Sequence, residues 1–335
     1  MYKRQRLLEV DARSAARTGD AKRAVDDCIA MLDLARIVQQ DPMMISQLVG
    51  LAIRSLAQRT ILDLVRTDAL GSDPQQLARL EQALSVPVVP VAFEGERMIV
   101  LDTVQRFYSD DGNGDGVFLA SQLQEAGRLG GLQMPASGAR AFQLLLQPFM
   151  ARAAGSRKQV IDTFEGLVTE TQMLMDTDPW AIDWAGLDSR QGALVSDGFL
   201  GVIHLFPLPL VMSSFDGIIL TSQSGRFMQD CTRLVVALHR YRARTGDWPA
   251  RLDQLQPDPL VELPRDPYDG DLLRYELRDG QPVLWSIGID GIDQGGVFKK
   301  NASPFRLKRV PVQPASPPLA FDERLWPPPV PVDLD

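Results

Sequence analysis

Residues 222–249 read SQSGRFMQDCTRLVVALHRYRARTGDWP, and the fold turns on them. Phe227, Cys231, Leu234, Leu238 and Tyr241 recur at alternating intervals of four and three, which gathers them into one apolar stripe on a helix. Arg226, Asp230, Arg233, Arg240 and Arg244 fall largely off that stripe. The spacing predicts a helix over 222–244 with one packed face and one solvated face, His239 lying beside the stripe as a partly exposed surface residue and Cys231 buried on it. Gly246 stops the helix, and Asp247-Trp248-Pro249 opens a short one through Leu255. Two strand-like runs follow at 272–277 and 282–287, with Asp279-Gly280 between them as a hairpin signal. The result is an α+β module over 216–300, in which Tyr241, Trp248 and Trp285 are expected to share one hydrophobic cluster.

Upstream the pattern is all-α. Over 6–84, Leu7 and Leu8, then Val25, Ile29 and Leu32, then Leu48, Leu51, Leu56, Ile61 and Leu64 recur at helical spacing. Gly19-Asp20, Asp41-Pro42 and Ser72-Asp73-Pro74 break the run into an antiparallel array, the last two supplying an N-cap and a proline at the first helical position. The Ala-rich stretch 15–24 looks like the turn of a tetratricopeptide helix pair; a single such unit is visible, so a lone helical hairpin is expected. Further helices are predicted over 90–107, 136–154 and 157–175. The apolar run 199–211 carries His204 and is cut by Pro207 and Pro209, too short for the roughly 20 residues of a membrane span, so it belongs in the core. The fold class is therefore mainly α with a C-terminal α+β module: a helical domain over 6–215, one long helix packed on a small antiparallel sheet over 216–300, and a Pro-rich tail over 301–335, extended and docked or disordered. Met1-Tyr2-Lys3-Arg4-Gln5 reads as a translated transposon sequencing adapter, an assembly scar that leaves room upstream for a signal peptide or membrane anchor.

Composition narrows the function classes. At 335 residues, 45% hydrophobic and 23% charged, the chain has the balance of a folded protein rather than a disordered or polytopic membrane one. A net charge of -8 repels a phosphate backbone, so nucleic acid is excluded as the expected partner. Cys28 and Cys231 are too few for a disulfide framework or zinc cluster, and His204 and His239 lie in no motif that explains a general base. Neither a Gly-x-Ser-x-Gly elbow nor a P-loop occurs, and the excess of arginine over lysine together with abundant alanine fits a bacterial source.

The order of pieces in the C-terminal module has a family likeness. Residues 238–249, the short helix at 251–255, Leu263-Pro264-Arg265-Asp266-Pro267-Tyr268-Asp269-Gly270, the strand with Arg274-Tyr275, and Leu284-Trp285-Ser286-Ile287-Gly288-Ile289-Asp290-Gly291 follow one another as in the periplasmic C-terminal part of the type II secretion major pseudopilin family, which this module resembles. The likeness covers about a quarter of the chain. The family's leader, Gly-Phe cleavage site and long apolar helix do not precede Ser222, so filament assembly is not implied; similar modules fused to helical regions imply a bacterial envelope protein. The resemblance also implies a structural calcium ion in the loop after the last strand, at the positions of Ser286, Asp290 and Asp293. Val297-Phe298-Lys299-Lys300 stands where the family supplies a further acidic pair, leaving the set short of the six to eight oxygens calcium wants.

A second calcium candidate is independent of that likeness. Asp111-Gly112-Asn113-Gly114-Asp115-Gly116-Val117-Phe118 places side-chain oxygens of Asp111, Asn113 and Asp115 at EF-hand loop positions one, three and five, glycine at six and the Val117 carbonyl at seven. Helices are expected on both sides, over 100–108 and 118–126. Gln122 stands at position twelve in place of the bidentate glutamate, so affinity is expected to be weak. Two tryptophans, Trp180 and Trp184, sit on a short acidic loop as a ligand platform or, more commonly, a core cap. The expected function is a non-enzymatic, envelope-associated binding or structural protein with an unidentified protein partner, steadied by calcium. The alternatives are a hydrolase with its site between the two regions near Trp180 and Trp184, and a helical-hairpin adaptor that binds a peptide.

Overall fold

The computed structural model describes residues 2–70, 73–110, 112, 115–122, 125, 154–184, 186, 204–258, 260, 262–297 and 322–327. Among them are seven α-helices: α1 (Tyr2–Arg17), α2 (Ala21–Gln39), α3 (Met44–Arg66), α4 (Pro74–Leu84), α5 (Glu94–Phe107), α6 (Arg157–Asp176) and α7 (Pro209–Thr245). Three antiparallel strands follow in the order β1 (Arg274–Arg278), β2 (Gln281–Ser286) and β3 (Glu323–Trp326). The fold class expected from the sequence is the one observed. Helix starts follow local chemistry: the Asp20 carboxylate accepts from Arg23 N at 3.0 Å, Asp73 from Gln75 N at 2.9 Å ahead of Pro74, and Ser156 Oγ from Gln159 N at 3.2 Å. The helix expected over 136–154 falls almost wholly on residues outside those described.

α7 departs most from its expectation. It begins at Pro209, thirteen residues before the expected start, because Pro209 occupies the first turn, where its missing N–H costs nothing. At about 1.5 Å per residue its 37 residues span about 55 Å. Its upper half, with Phe215, Ile218 and Ile219, joins a cluster formed with α5, α6 and residues 205–208. Its lower half joins a second cluster that runs from Ala12 and Leu32 through Leu80 to Leu284 and Trp326. The boundary drawn at 215/216 thus lies inside one helix, and the lower core is shared by the N-terminal helices and the C-terminal sheet.

The charged face expected for α7 stays partly exposed, with Asp230 and Arg244 exposed, but its central turn departs from the one-sided pattern. Leu234, Val235, Val236, Ala237 and Leu238 are all buried in succession, a pattern that needs neighbours on every side. The arginines off the stripe are pinned as well: Arg240 Nη1 donates to Glu81 Oε2 of α4 at 2.6 Å. His239 is only partly exposed, its Nε2 shut off from solvent, and its ring meets Trp248 and Trp326 edge-on at 4.8 and 5.5 Å.

The C-terminal hairpin forms as its turn residues dictate, with Asp279 at φ 51° and Gly280 at φ 72°, the positive pair that a two-residue turn between twisted strands requires. β3 comes from the Pro-rich tail, whose residues 322–327 return to the edge of β2. Tyr241 and Trp248 pack on the lower core, but Trp285 does not join them: side chains alternate along β2, so Leu284 takes the core face and Trp285 the other, where Arg278 covers its ring at 5.1 Å. The helix expected from residue 118 is also absent at its start. Phe118 instead forms an antiparallel bridge with Tyr108 and sends its ring among Phe107, Tyr108 and Phe206, with a single 3-10 turn over Ala120–Gln122 after it.

Candidate functional site

A cleft of ≈ 410 Å³ opens where the end of α6, the middle of α7 and residues 260–267 converge. Its first wall is a helix terminus capped from outside. The last carbonyls of an α-helix lack partners within it, and here α7 supplies them: Gln223 Nε2 donates to the carbonyls of Leu174, Met175 and Thr177 at 3.2, 3.1 and 2.7 Å, and Arg226 Nη1 to that of Met175 at 2.6 Å. The chain then turns through a short 3-10 helix, Pro179–Ala181, which carries Trp180 to the cleft mouth with 36% of its surface exposed. The indole lies against Gly270, where a Cβ would sit 2.8 Å from Trp180 Nε1. That contact, with the positive φ of 78° at the same residue, admits only glycine at the turn.

Charge of both signs lines the cleft. Arg226 stands 3.6 Å from Asp176, Arg233 stands 4.0 Å from Asp230, and Arg265 Nη1 donates to the Gly270 carbonyl at 2.7 Å, while Asp178 and Glu262 add two further carboxylates. Arg233 Nε is buried without an acceptor. Desolvation pushes the Asp230 carboxyl up from its ordinary value, Arg233 pulls against that and Glu262 adds to it. The side chain keeps 51% of its surface exposed, so the desolvation is partial and water screens the pair. The two tryptophans separate: Trp180 faces the cleft, and Trp184 is buried in the upper core as a cap.

The calcium positions divide differently. Asp111 and Asn113 lie outside the described residues. Asp115 is exposed, and the Val117 carbonyl accepts from Ser109 N at 2.8 Å across the Tyr108–Phe118 bridge. In the C-terminal loop the donors are already engaged within the chain. Ser286 Oγ donates to Asp266 Oδ1 at 2.9 Å; Asp290 accepts from Ile292 N at 3.2 Å and Gln294 Nε2 at 2.9 Å. Asp293 accepts from Trp285 Nε1 at 3.1 Å and Gly295 N at 2.9 Å, with the Arg274 guanidinium 3.7 Å away. The Arg274 guanidinium beside Asp293 opposes a cation there, and the Ser286 and Asp290 oxygens are already engaged within the chain. Among the described residues, no three His, Cys, Asp or Glu side chains group in a way that could hold a metal.

What organises that loop is Asp266, which the sequence shows only as part of an Asp-Pro turn. It is 0% exposed and takes four donors: Ser286 Oγ and Tyr268 N on Oδ1, Ile287 N and Arg274 Nη1 on Oδ2, at 2.9 to 3.1 Å. Burial pushes its carboxyl up, with the hydrogen bonds from Tyr268, Ile287 and Ser286 working against the shift. Asp322 repeats the device at the tail, accepting from the backbone N–H groups of Gln294, Gly296 and Val297 at 3.1, 2.6 and 3.2 Å and so fixing the start of β3. Both cysteines are buried and unpaired with each other, and burial pushes the Cys28 thiol up to about 12. Compared with known proteins, the chain matches no family model, no curated protein and no solved structure.

Proposed function

We propose that the protein is a non-enzymatic binding component of the bacterial cell envelope, built on a pseudopilin-like module, that holds a mixed-charge segment of a partner protein in the cleft beside Trp180. The cleft lining carries this reading. Arg226–Asp176 and Arg233–Asp230, at 3.6 and 4.0 Å and partly exposed, are loose pairs of the kind that contribute little by themselves and exchange for a ligand's charges at small cost. The Trp180 indole in the same cleft offers a rigid apolar surface with few rotors to freeze. Labelled peptides carrying both Lys/Arg and Asp/Glu, followed by fluorescence anisotropy, test it: Trp180→Ala and Arg226→Ala each weaken a genuine ligand tenfold or more. Binding indifferent to both changes overturns the reading.

Asp230 supports a hydrolase as the second reading, since a carboxyl raised above its ordinary value beside another carboxylate has the tendency of a general acid. Turnover of an ester, amide or glycoside panel that disappears in Asp230→Asn would replace binding with catalysis. Weak calcium binding at Asp111, Asn113, Asp115 and Val117 belongs to the main proposal; it is checked by a rise in melting temperature at millimolar calcium that Asp115→Ala removes. Among the described residues no helix is long and apolar enough to cross a membrane.

A further inference from the structure

A second pocket, ≈ 250 Å³, lies between α2, α3 and α4 and shares no lining residue with the cleft at Trp180. Arg36, Arg54 and Arg79 enter it from three different helices, against one carboxylate, Asp33, which is already paired with Arg36 at 3.0 Å. Arg54 is the unusual member. It is 2% exposed, and among the described residues no carboxylate lies within ion-pair distance of it. Its one acceptor is the neutral Gln229 Oε1. Gln229 cannot turn away, because its Nε2 is held by the carbonyls of Leu84 and Val86 at 2.8 Å each. Arg54 Nε is buried with no acceptor. Burial and then the like charge of Arg36 hold the Arg54 guanidinium below its ordinary value. A buried cation facing another cation, one of its donors unmet, is a destabilising arrangement unless something anionic completes it.

We infer that this pocket is an anion site, in which a small organic molecule places a carboxylate or phosphate between Arg54, Arg36 and Arg79 and rests its body on Ile29, Leu32 and Val86. A guanidinium presents five N–H donors in a fixed fork that matches both oxyanions, and Arg36 and Arg79 at the rim keep donors beyond those that Asp33 and Asp26 use. The apolar wall and the limited volume favour a short hydrocarbon body over a large polar one.

The full chain is melted with sodium phosphate or sodium hexanoate titrated against sodium chloride at constant ionic strength. A saturable rise in melting temperature with at least one of the two, absent in Arg54→Met, is the expected result; which anion acts identifies the head group. No saturable rise with either anion overturns the inference. So does an equal rise in Arg54→Met, because phosphate also stabilises proteins generally by exclusion from their surface. Should Arg54→Met fail to fold, Arg36→Gln at the rim replaces it, with a loss of tenfold or more in apparent anion affinity expected and an unchanged affinity counting against the site.

Discussion

The turn around Asp266 and the pocket around Arg54 each seal a charged side chain from water, and they do so in opposite ways. Asp266 has two donors on each oxygen, one of them from the Arg274 guanidinium, so both oxygens are met within the chain even though burial still pushes the carboxyl up. Arg54 has one neutral acceptor, an unmet Nε and a cation for a neighbour. Burial is the same in both places, yet the first is a finished structural joint and the second is incomplete until an anion arrives. Between them stands His239, which resolves burial by giving up its proton: desolvation, with Arg242 adding to it, pushes its imidazole down to about 4.

The comparison breaks most directly at its two ends. Asp266→Asn keeps one acceptor oxygen but turns an NH₂ toward a donor, leaving either the Tyr268 or the Ile287 N–H unmet and removing the charge that faces Arg274; a loss of about 3–5 kcal/mol in urea unfolding is expected. Arg54→Met, of similar size, removes the uncompensated charge but leaves the buried Gln229 Oε1 without its donor, so a loss of no more than about 1–2 kcal/mol is expected in anion-free buffer. Equal losses in the two variants would erase the distinction.

His239 sharpens the comparison through pH. The unfolded imidazole binds a proton below about 6.5 and the folded one only near 4, so the unfolded state is favoured progressively as pH falls between those values. Up to about 3 kcal/mol of stability is present above pH 6.5 and lost by pH 4. Urea midpoints measured from pH 7.5 to 4.5 check this, and His239→Phe flattens that part of the slope.

Two glycines give the smaller effects. Gly270→Ala meets both a positive φ and the Trp180 indole and is expected to cost about 1–3 kcal/mol. Gly246→Ala, at the C-terminal end of α7 with φ 89° and nothing within 4 Å of the added Cβ, pays only the backbone term, about 1 kcal/mol. Thermal melts of the pair isolate the Trp180 contact that ties the helical part to the module.

Periodicity and turn chemistry were legible wherever a signal was local. The stretch expected as a helix over 157–175 is Arg157–Asp176, and the Asp279-Gly280 turn sits between β1 and β2. A cleft lies beside Trp180, but Trp184, which the hydrolase alternative placed at the same site, is buried in the upper core. Illegible were features that depend on distant partners. Phe118 left its expected helix for a ring cluster whose other members come from residues 107, 108 and 206. Arg54 reads on its own as one more polar position of a helix, because its burial depends on α7, and Gln229 lies 175 residues away.

From the sequence alone came the helical series, the Asp73 and Gly246 caps, the hairpin turn and the apolar stripe of α7, all consequences of backbone geometry acting over a few residues, whereas the N-cap expected at Asp41 is not formed and α3 starts at Met44. The tertiary structure alone decided that α7 serves two cores, that a tail strand closes the sheet, that Asp266 is satisfied and that Arg54 is not. The reason is the range of the forces involved: dihedral preference and capping act within a helical turn, whereas desolvation of a charge depends on everything packed around it.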